Sequence, residues 1–586
     1  MFKRISLSIL LAALCASLLT GCGGGGGGSS IINLVVSSDW SHLDRGITGK
    51  SMKWSLYDSA ETLQRAIALS DNGSLTQQAL ISNLAKGQYH LKVELYEDPD
   101  LGGSVVGVLD EAITLNSSRT YTAVANTDPV SIKVTPQNVT LKTGQSKRFY
   151  AAGYNAQKKA TFISPGSFAW STTGGVATVG SDGLLLGTSA GNGTVVASVT
   201  GLEGSTSIKV EENQITQSKW TVLVYMNAAN DLYTFSETNV NQMETVAGNP
   251  DVRFVVQWKQ STDRYSGSTF NGTRRYLVRP DNTSNIVSDL VQDMGTNVDM
   301  GSKTTLHDFI EWGKTNYPAD RYVLIIWNHG NGWKRGIDQN YPTRGVSYDD
   351  ETGNSIQTWE LAQALGSNHF DIIAWDASLM QMIEVADEIR DQADYVVGSE
   401  ESPPGEGYPY DLVFQGFRDN PDATTLSLSK GFVDGMLAGY AGSPTKKITQ
   451  SVLDTSEISN LNAKISALAQ VLIDNKSALE LLIAQVRTNA KSFSPLSNRV
   501  YRDLWDVCDR LQTGSSITEV QSACADVKAA IELAVKWEGH NTTSNGSHGV
   551  SIDFSSATTF SGFSDDYVQL RFSNETLWNE WLTVAP

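Results

Sequence analysis

Apolar and polar positions along this 586-residue chain change rhythm twice. Over 31–127 they alternate, as in Tyr89-His-Leu-Lys-Val-Glu-Leu-Tyr96 and Arg119-Thr-Tyr-Thr-Ala-Val-Ala125, in short runs parted by Gly, Asn and Asp. Alternation gives each strand one core face and one solvent face, so this stretch predicts an antiparallel sandwich. A second all-β stretch covers 128–212, with Val130-Ser-Ile-Lys-Val-Thr-Pro136, Val139-Thr-Leu-Lys-Thr-Gly-Gln145, Phe168-Ala-Trp-Ser171 and Val176-Ala-Thr-Val-Gly-Ser-Asp-Gly-Leu184. After a polar linker, 213–219, the text becomes nearly continuous apolar runs. These are Trp220-Thr-Val-Leu-Val-Tyr-Met-Asn227, Val252-Arg-Phe-Val-Val-Gln-Trp258, Tyr322-Val-Leu-Ile-Ile-Trp327, Asp371-Ile-Ile-Ala-Trp375 and Tyr395-Val-Val-Gly-Ser399. Helical text over 305–315, 357–365 and 379–390 separates the later ones. Strands alternating with helices predict a mostly parallel sheet covered by helices on both faces. Amphipathic text over 456–536 predicts three more helices.

The start of the chain reads as a processing signal. Lys3 and Arg4 precede an apolar run, 5–19, too short for a stable membrane span. It ends in Leu19-Thr-Gly-Cys22, which resembles the bacterial lipobox, so 1–21 is expected to leave and Cys22 to carry the lipid. The alternative is a plain secretory signal. Residues 22–30 then form a Gly/Ser tether. Gly23 in place of an aspartate favours the outer membrane or cell surface of a bacterial envelope. Cys15 leaves with the signal, so only Cys508 and Cys524 remain in the folded part. In an exported protein they form either a disulfide or two buried thiols. The net charge of −19 excludes nucleic acid as a partner, since phosphate binding needs a basic footprint.

Chemistry is concentrated at two strand ends. Arg321-Tyr-Val-Leu-Ile-Ile-Trp-Asn-His329-Gly330 ends in a histidine, and Phe370-Asp-Ile-Ile-Ala-Trp-Asp376-Ala-Ser378-Leu-Met380 ends in a serine. In such sheets ligands bind outside the carboxyl ends of the strands. The opening Val-Leu-Val-Tyr-Met-Asn-Ala-Ala-Asn-Asp231, the run Asn328-His-Gly-Asn-Gly-Trp333, the Asp376-to-Met380 block and Ser399-Glu-Glu-Ser-Pro-Pro-Gly-Glu-Gly-Tyr-Pro-Tyr410 occur in order. Together they resemble the clostripain family of cysteine peptidases, relatives of caspases and gingipains, over 220–586. The strands of 128–212 resemble, also in order, the bacterial Ig-like group 2 domain, with Trp170 expected in its core.

The family resemblance implies roles for named residues. The residue at His329 works in the family with a cysteine, and here Ser378 stands at that nucleophile position. A thiolate is reachable near neutral pH. A serine needs a base bonded to its hydroxyl and held by a third group. The amides around Gly330 are the oxyanion donors by resemblance. Asp376 and Glu406 match carboxylates that select Arg or Lys before the cut, through charge-assisted pairs. The resemblance also implies self-cleavage of relatives in the loop that here holds Lys334, Arg335 and Arg344. Without the thiol it should fail.

Plainer readings stay open beside these. Ser378-Leu-Met-Gln381 has the form of a capping box, Asp376 could serve a helix N-terminus, His329 could be a satisfied strand-end histidine, and Glu406 could be a solvated loop acid. Asp349-Asp350-Glu351 is either a calcium site or an exposed turn. No other cofactor has a motif.

The expectation is a multidomain protein: two all-β sandwiches, then a caspase-like α/β domain. We expect a lipid-anchored peptidase homologue, inactive or nearly so, that retains a site for Arg/Lys peptides. One alternative is an active endopeptidase using Ser378 and His329. The other is an adhesion or scaffold protein acting through its β modules.

Overall fold

The computed structural model describes residues 32–40, 49–58, 63–125, 129–164, 166, 168–212, 217–334, 345–493 and 501–586. The signal, Cys22, the tether, most of the 213–219 linker, Arg335 and Arg344 lie outside the described residues.

The N-terminal region is built of strands. One sheet runs in the order Thr76–Leu84, Ile32–Asp39, Arg119–Val124, Ala160–Thr161, Tyr150–Tyr154, Ser131–Thr135. A second runs Leu63–Ser70, Ser51–Asp58, Gly87–Tyr96, Val105–Leu115. Leu34, Val36, Trp54, Leu91, Val93, Leu109 and Phe162 share one buried core. The first sheet thus draws strands from both sides of residue 128. Alternation marks a strand but not its neighbour, so the pattern alone could not assign strands to sheets. The remaining strands between 139 and 211 form a three-stranded and a four-stranded sheet. Trp170 is half-buried there rather than in the core. It lies against Gly183, at φ 79°, where a Cβ would stand 3.1 Å from the Trp170 ring and 2.4 Å from the Phe149 carbonyl oxygen.

The C-terminal α/β domain holds nine strands in one sheet. They are β1 (Ser218–Asn227), β2 (Val252–Gln260), β3 (Gly272–Leu277), β4 (Asp289–Gly295), β5 (Ala319–Trp327), β6 (Phe370–Asp376), β7 (Ala393–Gly398), β8 (Thr449–Asp454) and β9 (Val535–His540), in the order β4-β3-β2-β1-β5-β6-β7-β8-β9. The central run β2-β1-β5-β6-β7 is parallel. Both edges are antiparallel. The sheet is therefore parallel at its centre and not throughout.

Burial on both faces explains the continuous apolar runs. Along β1, Leu223 and Tyr225 enter one core, and Trp220, Val222, Val224 and Met226 the other. Helix α1 (Tyr233–Val246) covers the second face through Val240 and Met243, and α2 (Lys303–Asn316) the first through Leu306 and Phe309. The helix expected over 379–390 shrinks to α3 (Ile383–Glu388). Leu379 sits at φ 64°, and the N–H groups of Leu379 and Gln381 donate across to Glu401 and Ser399 carbonyls (3.2 and 3.1 Å), so the chain cannot coil there. Helix α4 (Thr425–Gly439) backs the second face. Among the described residues of 456–536, four helices stand where three were expected: α5 (Ile458–Asp474), α6 (Lys476–Asn489), α7 (Leu504–Gly514) and α8 (Thr518–Ala534). Asn475 ends one and begins the next.

Candidate active site

The parallel pairing of β5 with β6 sets the site. Trp327 lies opposite Asp376, and the Asn328 N–H donates to the Asp376 carbonyl at 3.1 Å. Two residues beyond these partners come His329 and Ser378, side by side at the carboxyl ends of neighbouring strands. Gly330 is obligatory, because a Cβ there would stand 2.3 Å from the Ser378 carbonyl oxygen. Asn328 fixes the turn. Its amide donates to the Asn227 and Tyr348 carbonyls (2.6 and 3.1 Å), and its side-chain oxygen accepts from the His329 and Tyr348 N–H groups (2.6 and 2.8 Å).

Ser378 caps no helix. The N-cap of α3 is Met382, and the Gln381 amide donates to the Ser451 hydroxyl and carbonyl (2.9 and 3.2 Å) instead of reaching back. The capping-box reading is therefore corrected: the left-handed turn at Leu379 delays the helix past it. Among the described residues Ser378 makes no hydrogen bond.

His329 is partnered. Its Nε2 lies 2.5 Å from Asp231 Oδ1, with 26% of the side chain exposed. Asp231 was not singled out in the sequence. Its one signal is its place just past the end of β1, the neighbour of β5. A histidine held by a carboxylate can take the proton of a neighbouring hydroxyl or thiol, whose oxygen or sulfur is then free to attack an acyl carbon.

Asp376 is buried. One carboxylate oxygen accepts the Tyr408 N–H at 3.1 Å and the other the Tyr410 hydroxyl at 2.9 Å. Burial pushes its carboxyl up to about 7, against the pull of these two donors. Gly407, at φ 68°, lies over it, and a Cβ there would meet the carboxylate at 2.6 Å. These bonds anchor the 404–410 loop, so Asp376 serves no helix end. Glu406, one residue before Gly407, is half exposed and paired with Lys446 at 2.5 Å. That partner holds its carboxyl below the usual range.

Other expectations settle differently. Asp349 and Glu351 both reach Lys259 at 2.8 Å, and Asp350 bonds Tyr265. Asp349 is fully buried at a strand end, while Asp350 and Glu351 are half-buried in the turn that follows it. A lysine supplies the positive charge. The Lys334 side chain is also buried, its ammonium 2.8 Å from Asp553. Cys508 on α7 and Cys524 on α8 are buried free thiols, not a disulfide. Burial, then the neighbouring Cys524, pushes the Cys508 thiol well up.

The α/β domain thus sets His329 and Ser378 at adjoining strand ends of a sheet that is parallel at its centre. The chain belongs to the clostripain family, whose model matches residues 224–584, more than half of its length. It is 27% identical over 245 residues to clostripain of Hathewaya histolytica, a stretch that is 37% of this chain and 46% of that protein. It thus spans about half of that relative. Among solved structures it is similar to an inactive zymogen C11 protease from Parabacteroides distasonis (20% identity, 62% of this chain and 99% of that one, TM-score 0.49). Another is a secreted C11 cysteine protease from Bacteroides thetaiotaomicron bound to an irreversible peptide inhibitor (22% identity, 60% and 99%, TM-score 0.45).

Proposed function

We propose that this clostripain-family protein is a peptidase homologue with little or no turnover that holds Arg/Lys peptides at the bacterial envelope. Cys22 carries the lipid anchor, and the β region, with an Ig-like module, spaces the α/β domain from the membrane. One observation carries the reading: among the described residues Ser378 has no hydrogen-bonded base, while His329 is engaged with Asp231. A hydroxyl has no accessible anionic form near neutral pH and depends on that bond. The acids Asp376 and Glu406 beside the site support recognition of a basic side chain.

The decisive experiment is Ser378→Cys. The variant should cleave Arg- or Lys-ended reporter peptides, and adding His329→Ala should remove about 10²–10⁴-fold of that rate. Wild type should show no hydrolysis above background. A second reading, a working serine peptidase, draws on the Asp231–His329 pair, which supplies the third group a serine nucleophile needs. Wild-type hydrolysis abolished by Ser378→Ala would establish it in place of ours.

A further inference from the structure

We propose that Lys446 is a built-in competitor for the basic side chain, its ammonium occupying Glu406 until an incoming arginine or lysine displaces it. The inference rests on the basic-peptide reading above. Glu406 and Asp376 flank Gly407, one half exposed and one buried, so Glu406 is the acid a ligand meets first. Lys446 is not a freely wandering surface lysine. Its N–H donates to the Ser443 carbonyl at 3.0 Å, and its own carbonyl accepts from the Asn541 amide at 2.5 Å and the Thr543 hydroxyl at 3.0 Å. Its ammonium stands 5.3 Å over the Tyr440 ring, and the Tyr440 hydroxyl donates to the Gly407 carbonyl at 2.7 Å. Two segments, the 404–410 loop and the stretch that follows α4, thus bring acid, lysine and tyrosine into one group.

The pair is suited to exchange rather than to stability. Its members are 34% and 50% exposed, and an ion pair so open to water contributes little. A guanidinium can take both carboxylate oxygens at once, which an ammonium cannot. Displacement therefore needs no rearrangement of the fold, only movement of one lysine side chain into water.

A graded series tests this, with a fluorescent, non-cleavable arginine-ended peptide titrated into the full-length protein. Lys446→Met keeps the stem over Tyr440 and removes the charge, and should tighten binding about threefold to fivefold, the equivalent of one exposed ion pair. Lys446→Arg should weaken binding below wild type, because its fork grips Glu406 better. Glu406→Gln should weaken binding in both the wild-type and the Lys446→Met background. A merely structural lysine would make Met the worse substitute and Arg the better one, and that order would overturn the proposal. So would equal affinities across the series while arginine is still preferred over leucine. Absence of any arginine preference in wild type and Lys446→Met alike would overturn the basic-peptide reading, and this inference with it. Thermal unfolding of each variant checks that the fold is intact.

Discussion

Asp376 is a carboxyl group held in the interior with no cation against it among the described residues. Burial is the largest influence on it, and raises it to about 7. An arriving guanidinium requires the ionised form, so below that value binding must expel a proton. Affinity for an arginine-ended peptide should therefore fall as pH drops below about 7, by up to about tenfold per unit. Asp376→Asn should flatten the profile and weaken binding at pH 8. Isothermal titration in two buffers of different ionisation heat would detect the released proton. A flat wild-type profile would remove Asp376 from recognition and leave it as the loop anchor. The individual site residues were unequally visible in the sequence. His329 and Ser378 each follow an apolar run, inside motifs that resemble those of the family, and position and motif together marked them. Asp231 meets His329 only because β1 pairs with β5 across some hundred residues, and no local pattern announces that.

Elements show the same division. The five parallel strands were legible, since burial on both faces forces continuous Val, Ile and Leu. Strand β3 was not. Its Arg274 and Arg275 read as solvent residues, yet both are buried, with Arg275 stacked 4.3 Å over Trp312 and bonded to Gln257 and Gln292. The short helix α3 hides an ionisable group as well. Glu384 is fully buried; desolvation first, then Asp553, raises its carboxyl to about 8. The unfolded chain would ionise it near 4.3. Between these values the native state holds the extra proton, so stability is greatest below about 4 and falls as pH rises through about 8, by on the order of 5 kcal/mol. Glu384→Gln keeps the shape without the ionisation. Its melting temperature should match wild type at pH 5 and exceed it at pH 9, as calorimetry would show. Equal values at pH 9 would mean that Glu384 reaches water. Gly330→Ala tests the turn beside the site. Its Cβ would meet the Ser378 carbonyl at 2.3 Å, so it should cost about 1–3 kcal/mol and silence a Ser378→Cys enzyme.

At the scale of the whole molecule, the apolar cores divide the chain cleanly. The two cores on the faces of the nine-stranded sheet draw only on residues from Trp220 to Ala585, and the N-terminal core only on residues from Ile32 to Phe162. A lipid on Cys22 would act on all of it. Each buried methylene contributes about 0.8 kcal/mol, so several acyl chains on one residue hold a protein to a membrane. Labelled palmitate should enter wild type but not Cys22→Ala, which should be released in soluble form. Equal labelling would exclude this attachment site. The division of cores also separates the competing functions. A fragment of residues 217–586 retains both α/β cores entire, and a unit with its own core can fold alone. It should unfold cooperatively and bind the arginine-ended peptide within about twofold of the full-length affinity. If the β region is a spacer, nothing about recognition depends on it. A fragment that folds, by circular dichroism and a sharp melting transition, yet loses the peptide would place recognition in the β region and favour the adhesion reading. Retention of binding by the fragment, together with its loss in Asp376→Asn of the same fragment, would locate recognition at the carboxyl ends of the parallel strands.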